Sequence, residues 1–106
     1  MKPDIADVER AVAARFNLTR DQMLGLTRAR AVSRPRQIAM FLAREMTGLS
    51  LPRIGRHFAR DHTTVLHACR RIRALAAKDA GLADAVEGCR EILARKNNLP
   101  PSVTGS

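Results

Sequence analysis

Aromatic side chains are scarce in this 106-residue chain: three Phe, no Trp and no Tyr. A core must then come mostly from aliphatic side chains and Met on packed helices, and hydrophobic residues at 45% suffice for one modest domain. No apolar run approaches the about 18 residues needed to cross a bilayer. The N-terminal MKPDIADVER is acidic and amphipathic, without the apolar stretch of a signal peptide. Both absences lead us to expect a cytoplasmic protein with no membrane partner. Only two cysteines occur, Cys69 and Cys89. A disulfide is unusual in a reducing compartment, so both are expected as buried free thiols.

Chemistry-bearing constellations are missing as well. His57, His62 and His67 are five residues apart, not the four that put two ligands on one helix face, so no metal is expected. No Ser/His/Asp or Cys/His arrangement and no acidic metal cluster stands out. The chain contains no Gly-x-x-x-x-Gly-Lys-Ser/Thr loop for nucleotide phosphates. We therefore expect no cofactor and no enzymatic activity.

What the chain has is positive charge in one place. The net charge is +9, with 19 basic and 10 acidic residues. Residues 20–73 hold twelve arginines against Asp21, Glu45 and Asp61, and the remainder balances to zero. The planar guanidinium fork suits phosphates and guanine edges, and a localised basic field points to nucleic acid.

Hydrophobic spacing predicts six helices. The first covers residues 4–16, with Asp4 as N-cap and Ile5, Val8, Val12 and Phe16 inward. A Thr19-x-x-Gln22 capping box opens a short second helix ending near Gly25. Residues 26–33 read as a basic loop. Ser33 is the expected cap of the third helix, with Pro35 in its first turn, Ile38, Phe41, Leu42 and Met46 inward, and Gly48 closing it. Met23, Met40 and Met46 read as core. Ser50 caps a fourth helix, with Pro52 in its first turn and Leu51, Ile54 and Phe58 inward. Asp61 caps a fifth, to about residue 78, whose apolar positions run from Val65 to Ala76. Gly81 is the expected breaker, a sixth helix spans residues 82–95, and residues 97–106 read as a disordered tail.

The fourth and fifth helices, joined by a tight turn, have the pattern of a helix-turn-helix. Such a motif presents the N-terminal residues of its second helix to base edges in the major groove. Those residues are Asp61, His62, Thr63 and Thr64, all short and polar. Asp can accept from the cytosine amino group, and Thr can touch a thymine methyl.

The stretch IGRHFARDHTTVLHACRRI, residues 54–72, resembles the signature of the C-terminal DNA-binding domain (domain IV) of the bacterial replication initiator DnaA. Residues 28–55, RARAVSRPRQIAMFLAREMTGLSLPRIG, resemble it too, and the likeness covers roughly residues 3–95. The resemblance implies an all-α, Trp-repressor-like fold over residues 1–96. It also implies recognition of double-stranded DNA at a short box, TTAT followed shortly by CACA. Carried over by position, Arg28 matches a loop arginine that enters the minor groove, where narrow A/T tracts attract Arg. Pro52, Asp61, His62 and Thr63 match major-groove base readers. Arg36, Gln37, Ser50, Arg60, Thr64 and Arg71 match positions at the phosphate backbone. Arg30 and Arg70 join them as cations in the basic loop and on the fifth helix.

Two positions depart from the family pattern. Only Ala59 separates Phe58 from Arg60 where two glycines are usual. The shorter turn predicts either a rotated recognition helix or one whose first residues are drawn into the turn. Thr27 stands where a further basic residue is common. The family's upstream ATPase motifs are absent, which leaves an excised fragment or a short stand-alone paralogue at the nucleoid, and the Met-Lys-Pro-Asp start favours the second. The resemblance implies binding as a monomer to an asymmetric site, and no heptad seam is visible. The alternative reading is an adaptor that docks on the full-length initiator, favoured by the short turn and Thr27.

Overall fold

The computed structural model describes residues 3–25 and 29–98, with side chains through residue 95. Six helices follow in order: α1 Ile5–Phe16, α2 Arg20–Leu24, α3 Arg30–Thr47, α4 Leu51–Phe58, α5 His62–Ala76 and α6 Ala80–Asn98. No strand occurs among the described residues.

The caps explain most helix starts. Asp4 accepts from the Asp7 N–H at 2.8 Å while the Asp7 carboxylate accepts from the Asp4 N–H at 3.2 Å. Thr19 and Gln22 form the same reciprocal box, so two otherwise orphaned N–H groups are satisfied. Ser50 and Asp61 cap α4 and α5. Gly48, at φ 72°, closes α3 in the left-handed region.

Helix α3 is the centre of the fold and packs against all five others. Ile38, Ala39, Leu42 and Ala43 are fully buried on it, and Met40 nearly so. Val8 and Val12 approach from α1, Met23 from α2, Ile54 and Phe58 from α4, Val65 and Ile72 from α5, and Cys89 and Leu93 from α6. Each such side chain contributes about 1.5–3 kcal/mol by leaving water. Met46, Leu51 and Leu82 pack at the edge, half-buried. Cys69 and Cys89 are buried free thiols. Burial raises both thiols above their ordinary range, Cys89 to about 11, so neither is a ready thiolate.

Three boundaries differ from the sequence expectation. Ser33 does not cap α3, and residues 30–33 are not loop. The helix begins at Arg30, because the Ala29 carbonyl accepts from Val32 N–H at 2.9 Å and Ser33 N–H at 2.8 Å. Burying Val32 rewards the extra turn, and Ala-Arg-Ala favours helix. Pro35 therefore lies inside α3, where its missing N–H falls on the exposed Ala31 side. Gly81 does not separate α5 from α6 either. α5 ends at Ala76, and Asp79 starts the next helix by accepting from the Leu82 N–H at 3.1 Å. Gly81 sits in its first turn. α6 continues to Asn98, past the expected boundary at 96, while residues 99–106 of the expected tail lie outside the described residues.

Arg36 is 5% exposed. Its Nε donates to the Met23 carbonyl and its Nη2 to the Gln22 carbonyl, both at 2.7 Å. It closes the C-terminal end of α2, which has no left-handed cap of its own. Replacing Arg36 with Ala would orphan both carbonyls. We expect a loss of about 2–3 kcal/mol in urea unfolding.

Candidate nucleic-acid interface

The turn between α4 and α5 sets the geometry of this surface. Ala59 adopts φ 56° and ψ 43°, left-handed values that cost a non-glycine residue about 1–2 kcal/mol. The following Arg60 N–H donates to the Gly55 carbonyl at 2.8 Å, and the Ala59 N–H to Arg56 at 3.4 Å. This is a Schellman closure with alanine at the usual glycine position. It requires Gly55, because a methyl there would collide with the Arg60 carbonyl oxygen and press on Asp61. The Arg60 guanidinium fastens the turn to the rest of the domain. It donates to the Phe58 carbonyl at 3.0 Å and to the Gly25 carbonyl, past the end of α2, at 2.6 Å.

Asp61 then caps α5, its Oδ1 accepting from the Thr64 N–H at 2.8 Å. The bonds from Thr64 hold its carboxyl below the ordinary range, so it stays anionic. The helix starts at His62. The shortened turn therefore does not absorb the first residues of α5: Asp61, His62, Thr63 and Thr64 are all exposed. Behind them, Val65, Ala68 and Ile72 anchor the helix in the core. Ser50 and Pro52 lie exposed in the first turn of α4, with Ser50 Oγ accepting from Arg53 N–H at 3.3 Å.

Beside this edge runs a groove of about 250 Å³ between α3 and α5. Arg36, Gln37, Arg60, Thr64, His67 and Arg71 line it. Five of these were expected at the phosphate backbone. His67 was not, although its spacing of three from Thr64 and four from Arg71 was available in the sequence. The arginines are not equivalent. Arg36 and Arg60 spend their donors largely on carbonyls, whereas Arg71 is exposed. Burial, then the nearby Arg60, lowers the Arg36 guanidinium below its ordinary range. Arg34 is lowered by burial and then by Arg30 and Arg71, and it donates to Gln37 Oε1 at 2.9 Å. Adjacent cations that disfavour one another leave this corner attractive to an anion. Arg30 is exposed at the first position of α3, and Arg70 is exposed on α5. Arg28 and Thr27 lie outside the described residues.

A buried acid bonded to a histidine supports the motif from behind. Glu9 on α1 is 3% exposed; its Oε1 is 2.7 Å from His57 Nε2 on α4, and its Oε2 is 3.5 Å from Arg20 Nε. Glu9 falls within the apolar stripe of α1, next to Val8 and one turn from Ile5. That placement is the signal in the sequence for a buried acid, and it was missed. Of the three acids in the basic segment, Glu45 is taken by Arg90 through two bonds of 2.7 Å and Asp61 by its capping role.

Sequence comparison decides the family. Residues 5–72 match the family described as Bacterial dnaA protein helix-turn-helix. The chain belongs to this DnaA helix-turn-helix family. It is 51% identical over 90 residues to the chromosomal replication initiator protein DnaA of Rhodopseudomonas palustris strain BisA53, covering 84% of this chain and 19% of that protein. It is 54% identical over 84 residues to the DnaA of Nitrobacter hamburgensis, covering 78% and 18%. The chain thus spans about a fifth of the length of the curated relatives it matches. The DnaA-family motif, a DNA-binding helix-turn-helix, is α4–turn–α5, and the matched segment ends within α5 at Ile72.

Two substitutions test the turn. Ala59→Gly should stabilise the domain by about 1 kcal/mol, which raises Tm by about 4–8 °C for a domain this size. Gly55→Ala should destabilise it by about 1–3 kcal/mol through the collision with Arg60, read in the same thermal melts.

Proposed function

We propose that this domain binds double-stranded DNA at DnaA-box-like sites, reading bases with α5 and holding phosphates with the flanking basic groove. The observation that carries the reading is the presentation of Asp61, His62, Thr63 and Thr64 at the exposed start of a core-anchored α5. Asp61 offers an acceptor to a cytosine amino group, and Thr63 a methyl and a hydroxyl. His62 adds a ring nitrogen and Pro52 an apolar edge. Arg71, Thr64, Gln37, Ser50, Arg30 and Arg70 supply backbone contacts, which position but do not specify. Arg36 and Arg60 contribute through the field of partly engaged guanidiniums. Arg28 is assigned the minor-groove contact by family resemblance.

The domain acts by binding, as a monomer on an asymmetric site, and not by catalysis. The relatives' description as chromosomal replication initiators suggests a role at an origin or a promoter bearing such boxes. Its place is then the cytoplasm, at the nucleoid. The short turn was one of two features favouring an adaptor that docks on full-length DnaA, the other being Thr27. With α5 still starting at His62, the short turn no longer favours it over DNA.

Fluorescence anisotropy on a one-box duplex and a scrambled duplex tests the proposal. The box is expected to bind more tightly, with a preference that persists as salt rises. Thr63→Ala should cost about 1–3 kcal/mol on the box and nothing on the scrambled duplex. Arg71→Ala should weaken both equally. Equal binding of both duplexes by the unaltered protein would overturn base reading.

A further inference from the structure

Helix α5 carries a second basic row that the groove with α3 does not use. At about 100° per residue, Thr64, His67 and Arg71 lie about 40–100° to one side of Thr63. Leu66, Arg70 and Arg73 lie about 20–80° to the other side, again by the helical repeat. The buried stripe of Val65, Ala68 and Ile72 is opposite. Thr63 thus stands on a ridge between two rows, only one of which lines the groove.

The second row continues onto α3. Arg44 is exposed in the last turn of that helix, and its Nη1 donates to the Leu49 carbonyl at 2.8 Å. That bond holds it next to Ser50, the cap of α4. The Cys69 thiol on α5 donates to the Met40 carbonyl on α3 at 3.8 Å, and Arg44 and Arg73 each lie one turn beyond that contact on their own helix, so both flank the same α3–α5 junction. Arg44, Arg70 and Arg73 are exposed, and none forms an ion pair with an acid among the described residues. The nearest acid in sequence, Glu45, is held by Arg90.

A B-form major groove is about 12 Å wide and is walled by two phosphate backbones. A helix lying in it with its reading edge inward meets one backbone on each flank. We propose that Arg44 and Arg73, with Arg70, form a second phosphate-binding wall that grips the strand opposite the one met by the α3–α5 groove. The proposal rests on the DNA-binding reading above. It accounts for a set of exposed cations without acidic partners among the described residues, and it makes the domain straddle the groove.

Each phosphate contact adds about 0.9 to the slope of log affinity against log salt on duplex DNA. Removing two contacts with Arg44→Gln/Arg73→Gln should make the slope shallower by about 1.8, a roughly sevenfold smaller loss on tripling the salt. The ratio of box to scrambled affinity should stay as in the parent. The charge-keeping Arg44→Lys/Arg73→Lys pair should restore the slope, and Arg10→Gln on α1, where Arg10 is paired with Asp7 at 2.6 Å, should leave it alone. Thermal melts of each variant check that the fold is retained. A parental slope in the Gln pair, with the parent binding duplex normally, overturns this wall and leaves the DNA-binding reading standing. Failure of the parent to bind any duplex overturns both.

Discussion

The backbone bond from Arg60 to Gly55 is the constraint on which the rest of the surface depends. It brings the chain back onto the end of α4 within two residues, and there is room for it only because position 55 has no side chain. Ala59 takes left-handed angles at a cost, and the Schellman bonds and the burial of Phe58 offset that cost. The Arg60 side chain then ties the turn to Gly25, and Arg36 ties the adjoining end of α2 to α3. Two guanidiniums and one glycine thereby fix the start of α5 against the central helix. The four polar residues at its tip are held at a set angle by groups that lie outside the tip itself.

Arginine is used here in more than one way, and charge counting does not separate the uses. Arg36 and Arg60 satisfy carbonyls at helix ends, where a forked donor can bridge two acceptors that a single ammonium would not span. Arg90 joins α6 to α3 through Glu45. Arg70, Arg71 and Arg73 are exposed and form no ion pair with an acid among the described residues. The basic segment that singles the chain out as a nucleic-acid binder is thus partly the fabric of the fold. The field at the surface is carried by fewer residues than the composition suggests.

Much of this was legible in the sequence. The Asp4 cap, the Thr19 capping box, the Ser50 and Asp61 caps and the inward stripe of α5 are local patterns with local physics, and they appear as read. The start of α3 was not legible. Ser33 is a good cap by type, but the burial of Val32 outweighs it, and burial is a tertiary fact. The same applies to Gly81, a breaker by propensity that the Asp79 cap places harmlessly in a first turn. At the site, Asp61 to Thr64 were singled out from their position in a helix-turn-helix, and they are exposed at the start of α5. The structural work of Arg36 and Arg60 was missed because their acceptors, at residues 22, 23 and 25, lie on a neighbouring helix and its end. The alanine turn looked like a defect in one dimension. In three it is a strained but complete closure.

The claim that matters most is that this turn delivers the tip of α5 to DNA. Amide chemical-shift mapping of the ¹⁵N-labelled chain, titrated with a one-box duplex, addresses it residue by residue. The account predicts that the largest perturbations fall on residues 60–67 and on the facing positions of α3, with α6 and the outer face of α1 unmoved. Perturbations centred on α1 and α6, with residues 61–64 silent, would contradict it.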